Sequence, residues 1–361
     1  MRVIYCCLAF AFACNAASGL DEADRRHKWR DASVDTPPSP TPDAPKPVDA
    51  SSTPGDAAVA GVGPYFSTSM FFNTDVSAAP RSANSASIIS TLVSEGGWGN
   101  SNVMQIDFEL DVLSADNSTP MRSFTPTSDF YSPDCDQASV PVPTGGNIEG
   151  ETGYSCTTNG DCHLLVYQHD THQLYEMWRA DIKNGTFYGG CLAVWHAAQA
   201  YTSSLRGEGC TSADAAGYPI SPLLFNADEV AAGHIDHAIR FILPNNRVRP
   251  GYTHPATHST NTTGVAGAPY YGVHLRLRAD YPIDSLPTEG AKVVARAMQK
   301  YGMYHADGGN IALTAQSDRH TTAKWAGLLG SHDLAALHVS DFEVIDHGAS
   351  FSGAADCVRT P

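Results

Sequence analysis

A proline-rich stretch near the start of the chain limits where a folded domain can form. Residues 31–57 contain seven prolines between Pro37 and Pro54, many Ala, Ser and Asp residues, and no aromatic residue. Such a composition cannot bury enough apolar surface to offset the entropy that is lost on ordering. We therefore expect residues 20–60 to be an extended, disordered tether and residues 61–361 to form a single globular domain.

The first 19 residues have the features of an export signal. Arg2 precedes an apolar run from Val3 to Ala13, which is too short to span a bilayer. The run ends in a small-x-small pattern directly before Cys14, so cleavage there would leave an N-terminal cysteine. Two outcomes stay open: plain secretion, or a lipid on Cys14 that tethers the protein to a membrane surface. We predict an exported protein, either secreted or a cell-surface or outer-membrane lipoprotein.

Charge and cysteine content narrow the class of protein further. The chain has 38 acidic and 22 basic side chains, and this negative excess argues against nucleic acid as a partner. Six cysteines follow the signal, and an even number in an exported chain favours disulfides over metal thiolates. Cys156 and Cys162 flank a turn-rich loop and are predicted to pair, and among the remaining pairings we favour Cys191 with Cys210.

Hydrophobic alternation predicts a mainly β fold, a sandwich or jelly-roll-like set of sheets with a few helices, with α+β as the alternative. Residues 104–112 alternate cleanly, so Asp107, Glu109 and Asp111 share one strand face. A calcium site or an acid–base site is one interpretation of these three carboxylates, but we favour a solvated strand face.

Other segments predict hairpins and helices. Residues 162–168 and 173–180 flank the sequence HDTH and predict a hairpin, and residues 186–196 predict one further strand. A helix is expected at 287–302, with Thr288 as its N-cap, and a shorter one at 331–339, with a hairpin through residues 307–310 between them. The chain has neither a glycine-rich phosphate loop nor a nucleophile elbow, so dinucleotide enzymes and α/β-hydrolases are not expected.

The segment from His237 to Ala279 contains no acidic residue in 43 positions, although the protein as a whole is acidic. It carries five arginines and four histidines, and strand alternation puts His274, Arg276 and Arg278 on one face. Arginine suits carboxylate, sulfate or phosphate because its guanidinium offers paired donors in one plane. Two interpretations remain: an anion-handling site, or arginines that pair with acidic residues elsewhere in the fold.

Two pairs of histidines in and beside this segment suggest a metal site. His234 and His237 are three residues apart, and His254 and His258 are four apart, which are spacings that a helix could use to hold zinc. Strand alternation separates the first pair, and Pro255 opposes a helix at the second. We therefore predict no metal and no cofactor, and keep a metal-dependent hydrolase with these ligands as a further alternative.

Four motifs resemble a family of secreted bacterial proteins whose activity is not established. They are TSADAAGYPI (211–220), DEVAAGHIDHAIRF (228–241), GVHLRLRA (272–279) and AMQKYGMYHADGGN (297–310), and the similarity covers roughly residues 145–345. This chain departs from the family pattern at Cys210 and His254, where the family has tryptophan, so His258 is the stronger functional candidate of its pair. The resemblance implies a shared fold and a shared site that includes Asp161, His163, Tyr175, Asp214, Asp228, Glu229, His237, His258, Arg276 and Asp307.

These observations favour an exported carbohydrate-active enzyme that acts on a polysaccharide, with uronate-containing glycans as the expected substrates. In a lyase, Arg276 or Arg278 would neutralise the uronate carboxylate, His237 or His258 would remove the proton, and Tyr175 would protonate the leaving oxygen. In a hydrolase, Asp214 would act with Asp228 or Glu229 as acid and base. The remaining predicted substrate-binding residues are His163, Arg240, Trp195 and Asp307.

A non-catalytic surface module that binds an anionic or neutral glycan is the alternative from a different class. In that case Trp178 and Trp195 would form a stacking platform for sugar rings. A product that absorbs in the ultraviolet would indicate a lyase, and a new reducing end without absorbance would indicate a hydrolase.

Overall fold

The computed structural model describes residues 65–158, 160–346, 348–353 and 355–360. The predicted export signal at 1–19, including Cys14, and the predicted tether at 20–60 lie outside these residues. Within the described part of the chain, none of the helices combines the length and the apolar composition that spanning a bilayer requires.

Short strands dominate the domain, which confirms the prediction of a mainly β fold with a few helices. The strands belong to several separate sheets, and the larger two contain six and four strands. In chain order the strands are β1 (Ile106–Leu110), β2 (Val112–Ala115), β3 (Met121–Arg122), β4 (Thr125–Pro126), β5 (Val140–Pro141), β6 (Leu164–Gln168), β7 (Gln173–Met177), β8 (Asp181–Lys183), β9 (Thr186–Gly189), β10 (Leu192–His196), β11 (Gly207–Glu208), β12 (Ile239–Leu243), β13 (Gly251–Thr253), β14 (His274–Leu277), β15 (Met303–Gly308), β16 (Leu313–Gln316), β17 (Phe342–Val344), β18 (Ser350–Ser352) and β19 (Val358–Arg359).

The helices in the described residues are α1 (Ser85–Ser94), α2 (Gly99–Asn102), α3 (Ala227–Ala232) and α4 (Glu289–Lys300). The prediction for 287–302 is confirmed: the Thr288 hydroxyl caps α4 by accepting the Ala291 amide, and Gly302 follows with a φ of +72°. The helix predicted at 331–339 is wrong, because that stretch forms turns before a 3₁₀ turn at Val339–Asp341. Leu334 and Leu337 bury their side chains from these turns, so a helix is not needed to reach the core.

The six-stranded sheet has the order β1-β16-β12-β15-β14-β17. The hairpin predicted through residues 307–310 is wrong, because β12 lies between β15 and β16 and pairs with β15 in parallel. The reason is that β12 is apolar on nearly all sides, with Phe241 and Leu243 fully buried, so it is stable only with a neighbour on each edge.

A β-bulge in this sheet lies beside the candidate functional site. Phe241 pairs with His305, but the next residue, Ile242, pairs with Asp307, so Ala306 is an extra residue on β15. Such a bulge bends the strand and changes the direction of the side chains beside it. The Ala306 carbonyl accepts the amide of Ala216, which ties the loop at 211–217 to the bulge.

The four-stranded sheet, β10-β7-β6-β2, confirms the predicted hairpin, because β6 and β7 pair across a turn at His169–Thr171. The single strand predicted at 186–196 is in fact two, β9 and β10, which belong to different sheets. Gly190 makes this break feasible: a Cβ there would lie 2.8 Å from the Trp178 carbonyl oxygen, so only glycine permits the chains to approach so closely.

Three disulfides link the described residues: Cys135–Cys191, Cys156–Cys162 and Cys210–Cys357. The predicted Cys156–Cys162 pair is confirmed, and the predicted Cys191–Cys210 pair is wrong. The two long-range bridges join residues 56 and 147 positions apart, which only the tertiary fold brings together. Three disulfides are typical of a protein that folds in an oxidising compartment.

Candidate functional site

The side chain of Arg240, on β12, is the centre of a group of charged residues. Its Nη2 lies 2.7 Å from Oδ2 of Asp214 and 3.9 Å from Oδ2 of Asp307, and its Nη1 donates to the Thr314 hydroxyl at 2.7 Å. Arg240 is only 3% exposed. A buried guanidinium needs such partners, because an unpaired charge in the interior is strongly unfavourable.

Three separate elements place carboxyl groups near Arg240, whose charge opposes the rise that burial causes in the pKa of Asp107, Asp214 and Asp307 alike. Asp214 lies in the TSADAAG loop, where its Oδ1 accepts the Ala216 amide at 3.0 Å. Asp307 follows the bulge on β15. Asp107, on β1, is opposite Thr314 in the parallel pairing of β1 with β16. The carboxylates therefore converge although they come from positions 107, 214 and 307.

A buried ion pair contacts the loop at 211–217, which also holds Asp214. His163, directly before β6, has its Nδ1 2.7 Å from Glu149 and its Nε2 3.1 Å from the Ala213 carbonyl oxygen. Burial would lower the pKa of His163, but the charge and hydrogen bond of Glu149 outweigh it and raise the pKa to about 9. The pKa of Glu149 is lowered in turn, since His163 outweighs the effect of its own burial. His163 is thus an imidazolium at neutral pH and donates from both nitrogens.

The neighbouring carboxyls have the opposite tendency. Burial, followed by the charges of Glu109 and Glu149, raises the pKa of Asp107 to about 7. Burial and then the charge of Asp214 raise the pKa of Asp307 to about 7, with Arg240 opposing the rise. The pKa of Asp214 is also raised, again first by burial. Asp107 and Asp307, with pKa values of about 7, therefore lie near Glu149, whose pKa is lowered.

We refer to these residues as the Arg240 cluster, and part of it is open to solvent. Asp307 is 28% exposed, Asp107 and Glu149 are half-buried, and Asp161 is exposed. The Asp161 carboxylate accepts a hydrogen bond of 3.1 Å from the Trp178 indole. The cluster carries six carboxyl groups against two basic side chains, and its members are Asp107, Glu109, Glu149, Asp161, His163, Asp214, Arg240 and Asp307.

Several predicted site residues come together here. Asp214, His163, Arg240 and Asp307 belong to the Arg240 cluster, and His258 borders it through a 2.8 Å hydrogen bond from its ring to the Ala215 carbonyl oxygen. Their predicted roles stay predictions, but their proximity is a property of the fold.

Sequence reasoning missed the part that β1 contributes. The interpretation of Asp107, Glu109 and Asp111 as a solvated strand face is wrong. Asp107 and Glu109 are half-buried, and Asp111 is 2% exposed and bonded to Asn147 and Ser317. The sequence did carry a signal for this site, because three acidic residues on one strand face are as compatible with the wall of a cleft as with a face in solvent. Only the position of β1 in the sheet distinguishes the two.

His237, Glu229 and Asp228 instead serve local structure. His237 is fully buried before β12, with its Nε2 3.2 Å from Glu229 and its Nδ1 2.8 Å from the Ala238 carbonyl oxygen. Burial would lower the pKa of His237, but Glu229 outweighs it and raises the pKa. Glu229 also completes a capping box with Asn226 at the start of α3, and the exposed Asp228 accepts backbone amides from residues 322 and 323.

Arg276 and Arg278 do not join the Arg240 cluster. Arg276 is paired at 2.5 Å with Glu343, its cross-strand neighbour on β17, and also donates to the carbonyl groups of residues 76, 77 and 79. Arg278 pairs with Asp280 at 3.0 Å on the surface. For these two arginines the structure supports pairing with acidic residues elsewhere in the fold rather than an anion-handling site.

Tyr175 and Trp195 lie inside the protein, which is a correction to their predicted contact with a glycan. The Tyr175 hydroxyl donates to Gln173 at 2.6 Å, and the side chain is 4% exposed. Trp195 is fully buried and donates to the buried carboxyl of Glu176. Tyr175 comes from β7, an inner strand of the four-stranded sheet, and Trp195 comes from β10 at the edge of that sheet, and packing excludes solvent from both side chains.

The histidines considered for a metal have other partners. His234 pairs with Asp236 on the surface, and His254 pairs with Glu208. Among the residues that the structure describes, one trio has ligand atoms within 4.8 Å of one another, namely Glu151, Cys156 and Cys162. These two cysteines form a disulfide, so their sulfurs are not thiolates that could ligate a metal.

No protein-family model, no curated protein and no solved structure matches this chain. The resemblance to a family of secreted bacterial proteins stays a prediction.

Proposed function

We propose that this protein is an exported carbohydrate-active enzyme that hydrolyses a neutral glycan at the Arg240 cluster. One observation carries the proposal: a partly open cluster places Asp307, a carboxyl with a raised pKa, near the exposed carboxylate of Asp161. Two carboxyl groups in different environments are the usual machinery of glycoside hydrolysis.

In this mechanism Asp307 is the general acid and Asp161 is the general base. The bond between the anomeric carbon and the leaving oxygen breaks, and the proton of Asp307 moves to that oxygen. A water molecule bonds to the anomeric carbon and gives its proton to Asp161. Arg240 and Asp214 position Asp307 and set its pKa, because the Asp214 charge raises it and the Arg240 charge lowers it.

The charge of the cluster favours a neutral glycan over the uronate that the sequence suggested. Both basic side chains of the cluster are already paired, Arg240 with Asp214 and His163 with Glu149, so a substrate carboxylate would find no free cation in the cluster. The β-elimination that we predicted needs Arg276 or Arg278 beside the substrate, and both are paired away from the cluster. Hydrolysis requires neither arginine.

Export of the enzyme rests on two supports. The first residues have the composition of a signal, and three disulfides indicate folding under oxidising conditions.

The test is hydrolysis of a panel of neutral and acidic polysaccharides, measured as new reducing ends and as absorbance in the ultraviolet. We expect reducing ends from a neutral glycan, and a loss of about 10²–10⁴-fold in kcat for Asp307→Asn and for Asp161→Asn. Asp280→Asn, at an exposed position outside the cluster, is the matched control and should keep full activity.

The pH profile separates a catalytic role of Asp307 from a structural one. Wild-type kcat/KM should fall as the pH rises through about 7, where Asp307 loses its proton, and Asp307→Asn should lack this fall in its residual rate. An unsaturated, absorbing product would show a lyase instead, and binding without turnover would show a glycan-binding module. Either result would overturn the proposal.

A further inference from the structure

Arg249 differs from the other arginines of the acid-free segment at 237–279. Arg240, Arg276 and Arg278 pair with carboxylates, and Arg247 donates to the carbonyl groups of Gly97 and Trp98. Among the described residues, no carboxylate oxygen lies within 4.0 Å of the Arg249 guanidinium. Its charge is available to a ligand.

The Arg249 side chain is nevertheless held in place. Its guanidinium carbon lies 4.2 Å from the centroid of the Tyr270 ring, a distance at which the cation and the ring attract each other. The Arg249 amide donates to the Pro269 carbonyl oxygen at 2.9 Å, which fixes the backbone next to Tyr270. The guanidinium is half-buried, is held by a ring and has no counter-ion among the residues that the structure describes, so it is prepared to bind an anion.

Arg249 and Tyr270 line a cavity of about 380 Å³. Its walls come from β13, β18, the start of α1 and the loop before β14, and none of its lining residues belongs to the Arg240 cluster. The cavity is within the range of ligand sites in proteins. Hydroxyl groups dominate its polar lining, contributed by Ser82, Ser87, Thr253, Tyr270 and Ser350.

The arrangement of these groups suits a sugar that carries a charge. Hydroxyl side chains exchange hydrogen bonds with sugar hydroxyls in either direction, and a guanidinium binds a carboxylate or sulfate through paired donors. Asp346 also lines the cavity and can accept from sugar hydroxyls, without an ion pair to Arg249. A phosphate alone would leave the hydroxyl lining unused.

We propose that this cavity is a second glycan site, which binds an anionic saccharide through Arg249. The inference stands independently of the proposed hydrolysis, because it uses different residues. Within the acid-free segment, the anion-binding role therefore falls to Arg249, because Arg276 and Arg278 are already paired with carboxylates.

The test is isothermal titration calorimetry of the purified protein with three oligosaccharides: one of galacturonic acid, a sulfated galacto-oligosaccharide, and a neutral galacto-oligosaccharide. We expect at least one anionic ligand to bind, with the neutral one at least 10-fold weaker. Binding of the carboxylated or of the sulfated ligand identifies which anion the site takes. The affinity for the anionic ligand should fall with added salt, because the ion pair between Arg249 and the ligand is accessible to solvent.

Variants locate the binding to the cavity. Arg249→Ala should weaken binding at least 10-fold, and Arg249→Lys, which keeps the charge but not the paired donors, should be intermediate. Arg278→Ala, which removes an exposed arginine outside the cavity, should bind as the wild type does. Asp307→Asn should bind the anionic ligand normally even where it loses most of its turnover. Equally tight binding of the neutral ligand that Arg249→Ala also weakens, no binding of any anionic ligand, or an equal loss in Arg278→Ala would overturn the proposal.

Discussion

The guanidinium of Arg240 lies 2.7 Å from the carboxylate of Asp214, and both side chains are almost completely buried. Removing one partner leaves the other charge in the interior without compensation. We therefore expect Arg240→Ala to lower the free energy of unfolding by about 3–5 kcal/mol, measured by urea denaturation. Arg278→Ala breaks an exposed pair and should change it by less than about 1 kcal/mol.

A double variant tests whether the loss comes from the unpaired charge. Arg240→Met combined with Asp214→Leu removes both charges, so it should be more stable than Arg240→Ala alone. If the double variant loses as much free energy of unfolding as the two single variants together, the unpaired Asp214 is not the cause of the instability of Arg240→Ala.

The raised pKa of Asp307 predicts a pH-dependent stability. Folding raises this pKa from 3.8 to about 7, so the folded protein binds a proton that the unfolded chain loses. The favourable contribution is complete below about pH 4 and disappears as the pH rises through about 7. Asp307→Asn cannot ionise, so at pH 8 it should be more stable than the wild type by roughly 1–2 kcal/mol, with a smaller difference at pH 4. The measurement is urea unfolding at both pH values, and a larger gain at pH 4 would contradict the assignment.

Two buried histidines offer a matched comparison. His163 pairs with Glu149 and His237 pairs with Glu229, but only His163 belongs to the Arg240 cluster. Replacing either with Gln should lower the free energy of unfolding by roughly 1–3 kcal/mol. Hydrolysis should fall at least 10-fold in His163→Gln and stay within 2-fold of the wild type in His237→Gln, as measured by kcat on the best neutral substrate. A loss of activity in His237→Gln alone would place the site elsewhere.

The disulfides should separate stability from activity. Cys210–Cys357 closes a separation of 147 residues, and Cys156–Cys162 closes one of 6. From the entropy of loop closure, replacing the first pair with Ser should lower the free energy of unfolding by about 5 kcal/mol, against about 2 kcal/mol for the second. The loop that Cys156–Cys162 closes contains Asp161 and directly precedes His163. Loss of this short-range bridge should therefore reduce kcat more than loss of Cys210–Cys357 does. Thermal unfolding and kcat of both double variants provide the comparison.

Local patterns predicted several elements correctly. Thr288 and Gly302 mark the ends of α4, and the turn between β6 and β7 closes the expected hairpin, because capping and turn formation depend on residues close in sequence. The Cys156–Cys162 pair was predictable for the same reason. The hairpin through 307–310 failed since pairing of β12 with β15 depends on residues more than 60 positions apart.

For the candidate site, the amino-acid sequence was enough to identify side chains with useful chemistry, namely Asp214, His163, Arg240 and Asp307. It also showed an acidic protein that keeps one segment free of acidic residues. The fold was needed to show that Asp107 and Glu149 join these residues, that Arg276 and Arg278 are already paired, and that Arg249 has no carboxylate partner among the described residues. Charge partners and burial are set by contacts between distant segments, and alternation along one strand does not specify those contacts.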